Sequence, residues 1–307
     1  MTKVFIDGSA GTTGLRIVDR LSQRKDLELI ILPDHLRKET SARQDALAKA
    51  DIAFLCLPDD AAKETVSLAE GLPVKIIDTS TAHRTNPAWV YGMPELPGKR
   101  EQIASATRVA NPGCHASGFV ALVAPLIAEG ILSPDTALSC FSLTGYSGGG
   151  KKMIAEYEAE NPNPLLKAPR QYALTQQHKH LKEMVALCGL NKAPVFCPIV
   201  ADFYSGMEVT VSLFAEDIKG NMADIKEIYK SCYQNGLIHF TEETDADGML
   251  SAAAFSGRDD MAVSVAGNEE RILLVSRFDN LGKGASGAAI QNMNILLGMD
   301  QATGLSV

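Results

Sequence analysis

The chain has 307 residues, 46% of them hydrophobic, so it is long enough for two domains of roughly 100–200 residues with ordinary cores. Its 29 basic and 37 acidic residues give a net charge of −8, which argues against a nucleic acid or an anionic membrane as the main partner. The six cysteines are scattered and form no CxxC pair, which predicts thiols and no metal site. Without a signal-peptide pattern or an apolar run near the roughly 18 residues of a membrane span, we expect a cytoplasmic protein.

The first half of the chain alternates between short apolar runs and amphipathic stretches. The apolar runs cover residues 3–7, 27–32, 51–57 and 74–78. The stretches with helical spacing lie near 12–24, 41–50 and 60–70. Strands that are apolar along their whole length are typical of a parallel sheet covered on both faces. The pattern therefore predicts a doubly wound α/β sheet of the Rossmann type.

The second half has a mixed α+β pattern. Strand-like segments lie near 137–144, 194–200, 207–215, 261–267 and 271–278. Helices are predicted near 116–130, 221–235 and 284–298. The last of these carries Ile290, Met293 and Leu297 at helical spacing. We expect a mixed or antiparallel sheet with helices on one side.

A glycine-rich turn follows the first predicted strand and opens the first helix. Its residues are Gly8, Ser9, Ala10, Gly11, Thr12, Thr13 and Gly14. Glycines allow a tight turn and a close approach of the backbone, and the N-terminus of a helix offers N–H groups to a pyrophosphate. Because the turn opens an alternating α/β pattern, it predicts a dinucleotide site rather than a turn that binds nothing.

The end of the second strand gives conflicting signals about the cofactor. Asp34 lies about 20 residues after the last glycine, where a carboxylate that binds the ribose favours NAD. Arg37 and Lys38 could instead bind a 2′-phosphate, which favours NADP, although a solvated charge run is the alternative. We expect NADP.

Cys114 is the candidate nucleophile. It follows Asn111-Pro112-Gly113, a sequence that predicts a turn at the end of a strand-like segment over 107–110. A cysteine near the N-terminus of a helix has a lowered thiol pKa and more thiolate. The other five cysteines lie in predicted apolar strands or helices and fit structural positions.

A thiolate that attacks an acyl group needs an acid/base partner, and His178 and His180 are the candidates. In an extended segment, residues at i and i+2 share one side, so both could reach one site. We rank His180 above His178. His115 adjoins the nucleophile and could point away from it.

Seven ordered motifs together resemble the N-acetyl-gamma-glutamyl-phosphate reductase family in its shorter form. They are the glycine turn 8–14 and the segments 78–84, 91–96, 111–118, 144–151, 178–183 and 279–285. The chain departs from the family pattern at His83, where Phe is usual, at His115, where Tyr is commoner, and at Lys182, which replaces a proline. The nucleophile and both histidines are retained.

The resemblance implies a Rossmann NADP-binding domain, residues 1–113 plus about 281–307, and an inserted catalytic and oligomerisation domain, residues 114–280. It also implies reduction of N-acetyl-glutamyl 5-phosphate to the semialdehyde in arginine biosynthesis, through a cysteinyl thioester, by a homodimer or homotetramer. Ser147, Gly148 and Asn280 become candidates for the cofactor, and Ser80, Arg84 and Asn111 become candidates for the substrate. A reductase of aspartyl phosphate or of carrier-bound glutamyl phosphate is the alternative, followed by a non-catalytic nucleotide sensor.

Overall fold

The computed structural model describes residues 1–307. Its strands are β1 Thr2–Asp7, β2 Leu27–Ile30, β3 Ile52–Leu55, β4 Lys75–Asp78, β5 Val90–Tyr91, β6 Arg108–Ala110, β7 Ser139–Gly145, β8 Arg170–Gln171, β9 Val195–Ala201, β10 Met207–Phe214, β11 Ile238–Phe240, β12 Met261–Gly267 and β13 Arg271–Phe278. Its α-helices are α1 Thr12–Ser22, α2 Thr40–Lys49, α3 Asp59–Leu68, α4 Lys99–Ser105, α5 Cys114–Ala128, α6 Gly150–Tyr157, α7 His180–Cys188, α8 Met222–Cys232 and α9 Gly287–Leu296. A π-helical turn over Gly282–Ser286 precedes α9.

These elements form two compact units. The first unit comprises Met1–Pro94, Gly98–Pro112 and Ala285–Leu305. The second unit comprises Glu95–Pro97, Gly113–Gly284 and Ser306–Val307. The chain therefore leaves the first unit just before Cys114 and returns to it with α9.

The first unit contains a six-stranded sheet in the order β2-β1-β3-β4-β6-β5, in which every pair is parallel. Phe54 and Ile77 lie on one face of its central strands and Ala53 and Ile76 on the other, and all four are fully buried, as expected for a sheet covered on both faces. Ile290 and Met293 of α9 lie in the same core, so the last predicted helix packs in this unit. Strand β1 lies between β2 and β3, which is the reversal of strand order typical of a doubly wound parallel sheet, and the predicted Rossmann-type fold class is confirmed.

The second unit contains a seven-stranded mixed sheet in the order β11-β12-β13-β10-β7-β9-β8. Helix α5 packs on one face of this sheet, where a side chain at Gly118 would collide with Val209 and Ser276. On the other face, strand register aligns four exposed apolar side chains: Phe141, Val195, Phe214 and Leu273. The sheet therefore has one buried face and one open apolar face.

The main elements match the sequence predictions, with one difference that matters for function. Residues 178–180 do not continue an extended segment: His178 lies in a loop, and His180 begins α7. Helix α7 buries Leu181 and Met184 on the i, i+3 spacing of an amphipathic helix. It ends at Cys188, and the C-cap residue Gly189 has a left-handed φ of 67°. Strands β5, β8 and β11 were not predicted, because two or three residues are too short for a periodicity.

Candidate active site

The glycine turn has the tight backbone that a dinucleotide site requires. Gly8 has a φ of 84°, and a Cβ there would lie 2.2 Å from the carbonyl oxygen of Cys56. A Cβ at Gly14 would lie 2.4 Å from the carbonyl oxygen of Gly8. Both positions therefore require glycine, since any side chain would displace backbone.

The turn also leaves a helix N-terminus available to an anion. Helix α1 begins at Thr12 with no side-chain cap and no acidic residue in its first turn. A Cβ at Gly11 would lie 3.6 Å from the carbonyl oxygen of Gly8, an ordinary van der Waals contact, so this position would accept a small side chain. Backbone N–H groups at a helix N-terminus without a side-chain cap fit the pyrophosphate of a dinucleotide. The seven predicted residues lie in the turn between β1 and α1 or in the first turn of α1: Gly8, Ser9, Ala10, Gly11, Thr12, Thr13 and Gly14.

Asp34, which favours NAD, and Arg37, which favours NADP, form an ion pair with each other. A guanidinium nitrogen of Arg37 is 2.9 Å from a carboxylate oxygen of Asp34, whose side chain is 91% exposed. A turn closed by the bond from Leu36 N–H to the Pro33 carbonyl brings the two side chains together. Lys38 follows and is exposed. Asp34 thus offsets part of the charge that Arg37 would offer to a phosphate.

The segment after β4 is organised around the fully buried carboxylate of Asp78. Asp78 accepts hydrogen bonds from the backbone N–H of Ser80 at 2.9 Å and from its hydroxyl at 2.7 Å. The Nδ1 atom of His83 lies 2.6 Å from the same carboxylate, and its ring stacks on Trp89 at 4.1 Å. The imidazole of His83 thus stacks as an aromatic ring and also binds Asp78.

Arg84 and Asn111 are joined in the first unit. Arg84 donates from Nε to the Asn111 carbonyl and from Nη2 to the Thr79 carbonyl, both at 2.9 Å. The Asn111 side chain donates to the Ala285 carbonyl at 3.0 Å and accepts from Asn292 at 3.2 Å. Arg84 and Asn111 therefore hold the backbone carbonyls of Thr79, Asn111 and Ala285 in place.

Cys114, predicted near a helix N-terminus, is the first residue of α5, and Gly113 is the N-cap. A Cβ at Gly284 would lie 3.0 Å from the Cβ of Cys114, so glycine at 284 leaves the nucleophile its room. The backbone N–H of Gly113 donates to Oε1 of Glu183 at 2.8 Å. Glu183 is buried in the first turn of α7, a helix that packs against α5. The thiol therefore lies at a helix N-terminus on a turn fixed by a carboxylate.

Three imidazoles cluster around the residue that follows Cys114. The rings of His178 and His180 are 4.7 Å apart, and both lie within 5.6 Å of the His115 ring, measured between centroids. Phe196 of β9 packs against His115 and His178. The two predicted histidines do share a side, but a turn into α7 brings them together rather than an extended strand.

The hydrogen bonds and the burial of His178 and His115 determine how each ring is protonated. Nδ1 of His178 accepts the backbone N–H of His180 at 3.2 Å, so neutral His178 carries its proton on Nε2. Burial, with a smaller contribution from Lys179, lowers the pKa of His178. His115 contacts Ser142 through Nδ1 and Tyr172 through Nε2, and burial lowers its pKa to about 3. His178 and His115 are therefore neutral near pH 7.

Asn280, Ser147 and Gly148 lie together in the second unit. The Asn280 amide donates to the Ser147 hydroxyl at 3.0 Å and accepts from the Gly206 N–H at 2.9 Å. A Cβ at Gly148 would lie 3.4 Å from the Asn280 amide nitrogen. Asn280 thus joins two glycine-containing loops and does not cap a helix.

The remaining cysteines are free thiols without a catalytic setting. Cys140 and Cys188 are buried, and burial raises the pKa of Cys56 to about 12. No group of three or more metal-binding side chains is present. None of the helices has the length and apolar character needed to span a bilayer.

Sequence reasoning missed Glu183 as a contact of the nucleophile turn, and missed Tyr172 and Ser142 altogether. Glu183 lay in a recognised motif, but its bond joins it to a residue 70 positions away. Tyr172 and Ser142 carried no local pattern, and only the fold brings them to His115.

Two family models cover most of the chain. The semialdehyde dehydrogenase NAD binding domain matches residues 3–106, and the semialdehyde dehydrogenase dimerisation domain matches residues 114–280. The fold agrees with solved structures. Aspartate semialdehyde dehydrogenase II from Vibrio cholerae has a TM-score of 0.73 at 15% identity, covering 97% of this chain and 98% of that one. The enzyme from Francisella tularensis has a TM-score of 0.72 at 16% identity, covering 97% and 100%. The chain is a semialdehyde dehydrogenase-type protein, and the first model supports a nicotinamide cofactor.

Relatives of known name narrow the class. N-acetyl-gamma-glutamyl-phosphate reductase 2 of Nostoc sp. is 44% identical over 318 residues, covering 99% of both chains. N-acetyl-gamma-glutamyl-phosphate reductase of Brucella ovis is 45% identical over 306 residues, covering 96% of this chain and 99% of the relative. The chain belongs to the N-acetyl-gamma-glutamyl-phosphate reductase family, and the resemblance drawn from its motifs is confirmed.

Proposed function

We propose that the protein reduces N-acetyl-L-glutamyl 5-phosphate to N-acetyl-L-glutamate 5-semialdehyde with NADPH, as an enzyme of arginine biosynthesis in the cytoplasm. One observation carries the proposal: Cys114 stands at the N-terminus of α5 beside an imidazole cluster, in a chain that matches the named reductases end to end. A thiolate and an acid/base are the groups that acyl transfer from a phosphate requires.

In this reaction the Cys114 sulfur attacks the acyl carbon, the bond to the phosphate oxygen breaks, and a thioester remains. NADPH, when bound, would supply the hydride that reduces this thioester. His180 donates a proton to the oxygen of the resulting thiohemiacetal, and takes it back as the C–S bond breaks and the aldehyde leaves. We assign this role to His180 because Nδ1 of His178 already accepts a backbone N–H, which leaves His178 as a donor through Nε2.

We propose that the first unit is the NADP-binding domain and the second the catalytic and oligomerisation domain. The turn over 8–14 would hold the pyrophosphate, and Arg37 with Lys38 the 2′-phosphate. Ser147, Gly148 and Asn280 would shape the cofactor contacts of the second unit, supported by the bond between Asn280 and Ser147.

Ser80, Arg84 and Asn111 are our proposed substrate residues. The Ser80 hydroxyl donates to Asp78, and two guanidinium nitrogens of Arg84 bind carbonyls. We therefore propose that they act mainly by fixing the backbone that borders the substrate.

We propose that the open face of the second sheet joins two copies of the chain, as a homodimer or as part of a homotetramer. Phe141, Val195, Phe214 and Leu273 expose between 41% and 59% of their surface on this face, and their clustering favours a protein partner over water. Light scattering should give a dimer or larger mass, and Phe141→Asp together with Phe214→Asp should lower it.

The experiment that tests the activity runs the reaction in reverse. N-acetyl-glutamate semialdehyde should reduce NADP only when inorganic phosphate is present, and aspartate semialdehyde should serve as a much poorer substrate. Cys114→Ser should abolish this activity and keep NADPH binding, while Cys232→Ser, a half-buried cysteine of α8, should resemble wild type. Activity without phosphate, residual activity of Cys114→Ser within about tenfold of wild type, or a preference for aspartate semialdehyde would overturn the proposal.

A further inference from the structure

The imidazole of His115 lies between two hydroxyl groups. Its Nδ1 is 2.6 Å from the Ser142 hydroxyl oxygen, and its Nε2 is 2.7 Å from the Tyr172 hydroxyl oxygen. Ser142 lies on β7, fully buried, and Tyr172 lies in the loop after β8. A hydroxyl can either donate or accept in such a contact, so the direction of both bonds depends on where the ring carries its proton.

His115 carries one proton. Burial, and to a smaller degree the charges of His178 and Lys179, lower its pKa to about 3. The neutral ring has one N–H and one bare nitrogen. One hydroxyl must therefore donate to the ring, and the other must accept from it.

Ser142 decides between the two arrangements. Its hydroxyl contacts no hydrogen-bonding group other than Nδ1 of His115. If Nδ1 carried the proton, the Ser142 hydroxyl would accept, and its own proton would be buried without an acceptor, at substantial cost. Ser142 therefore donates to Nδ1, and the proton of His115 lies on Nε2.

The same reasoning sets the direction at Tyr172. With a proton on Nε2, His115 donates to the Tyr172 oxygen, and the phenolic proton is left to point elsewhere. Burial raises the pKa of Tyr172, and the charge of a Cys114 thiolate raises it further, so the hydroxyl lies within electrostatic range of that sulfur and stays protonated.

We propose that His115 is a positioning residue, which together with Ser142 fixes the Tyr172 hydroxyl so that its proton is presented to the acyl oxygen of a substrate bound to Cys114. The identity of the acceptor, an acyl oxygen, rests on the function proposed above. The direction of the bonds within the chain is independent of the substrate. A donor held in advance at a developing oxyanion needs no reorganisation when the charge forms.

The bond direction can be measured without any activity. In 15N-labelled protein, the two ring nitrogens of a neutral histidine have different chemical shifts, and the His115 signals are identified by their loss in His115→Phe. We expect the Nε2–H tautomer, and Ser142→Ala should introduce the Nδ1–H form. An Nδ1–H tautomer in wild type, or a spectrum unchanged by Ser142→Ala, would overturn the proposal.

A kinetic cycle tests the positioning role. Tyr172→Phe should lower kcat by about 10²-fold and leave KM nearly unchanged, as expected for loss of a donor to an oxyanion. His115→Phe should lower kcat by a similar order, and should have an effect below about twofold when Tyr172 is already Phe. His115→Gln, whose amide N–H can donate to the Tyr172 oxygen, should recover part of the loss.

Two outcomes contradict the proposal here: equal losses from His115→Phe in both backgrounds, and no recovery by His115→Gln. If His115→Phe does not fold, Ser142→Ala replaces it in the same cycle, with the same criterion. If wild type lacks the phosphate-dependent activity, the proposed function fails, and the tautomer measurement still decides the arrangement of Ser142, His115 and Tyr172.

Discussion

The buried carboxylate of Glu183 accepts the backbone N–H of Gly113 at 2.8 Å, and so ties the first turn of α7 to the residue before Cys114. The same helix begins with His180. One short helix therefore supplies both an imidazole and the acceptor that holds the nucleophile turn.

Glu183→Ala should remove this support. The Gly113 N–H would lose its acceptor in a buried setting, so we expect the free energy of unfolding to fall by about 1–3 kcal/mol and kcat to fall as the turn becomes looser. Glu183→Gln keeps a carbonyl oxygen in place and should be closer to wild type in both. Urea unfolding and steady-state kinetics measure the two effects. Glu269→Ala, at an exposed position between β12 and β13, is the control. A Gln variant as impaired as the Ala variant would contradict this role.

Cofactor preference should respond to the ion pair between Asp34 and Arg37. Arg37→Ala combined with Lys38→Ala should lower kcat/KM with NADPH and leave the value with NADH almost unchanged. Asp34→Asn should act in the opposite direction, because it releases Arg37 from its partner. These side chains are partly or fully exposed, so we expect effects of about fivefold or less that shrink as salt is added.

Kinetics with both cofactors at low and high salt provide the measurement. Lys63→Ala, which removes an exposed lysine of α3, is the matched control. Equal use of NADPH and NADH by wild type, or an unchanged preference in the double variant, would contradict binding of the 2′-phosphate by Arg37 and Lys38.

The two histidines of the motif should differ in their effects on turnover. His180→Ala should lower kcat by about 10²–10⁴-fold, the usual contribution of a general acid/base. His178→Ala should cost less, since Nδ1 of His178 is already occupied by the His180 N–H. NADPH affinity should change little in either variant, and His180→Ala should also slow alkylation of Cys114 near neutral pH. If both variants kept full activity and an unchanged alkylation rate, the segment would be structural.

Those parts of the site that depend on local sequence could be predicted. The Pro-Gly turn before an apolar helix predicted Cys114 near a helix N-terminus, and Cys114 is the first residue of α5. The glycine spacing predicted a turn that opens the first helix, and α1 begins at Thr12. The alternation of apolar runs and helices was also sufficient for the parallel sheet, since burial on both faces determines the composition of such strands.

The remaining parts depend on contacts between residues distant in sequence. Ser142 reaches His115 because β7 lies in the sheet under α5, and no pattern near either residue indicates it. Helix α7 was not predicted: His178 and His180 were expected to share a side if their segment were extended, whereas the helix begins at His180. Roles that depend on tautomers require the partners of each nitrogen, which only the fold provides.

Acid should destabilise the protein through His115. Histidine has a pKa near 6.5 in an unfolded chain, whereas burial lowers the pKa of His115 to about 3. Between these values the unfolded state binds a proton that the folded state does not, so the free energy of unfolding falls as the pH falls through this window. His178 contributes in the same direction, because burial also lowers its pKa. Each such histidine adds a slope of up to about 1.4 kcal/mol per pH unit.

Urea unfolding at several pH values between about 5 and 6.5, where most carboxylates remain ionised, measures this slope. His115→Phe removes one titrating imidazole, so its slope should be smaller than that of wild type, whatever its absolute stability. The control is Leu174→Ala, at an exposed position that carries no titrating group, which should retain the wild-type slope. A slope for His115→Phe equal to that of wild type would show that His115 binds its proton equally well in both states, and would contradict the neutral, buried ring between Ser142 and Tyr172.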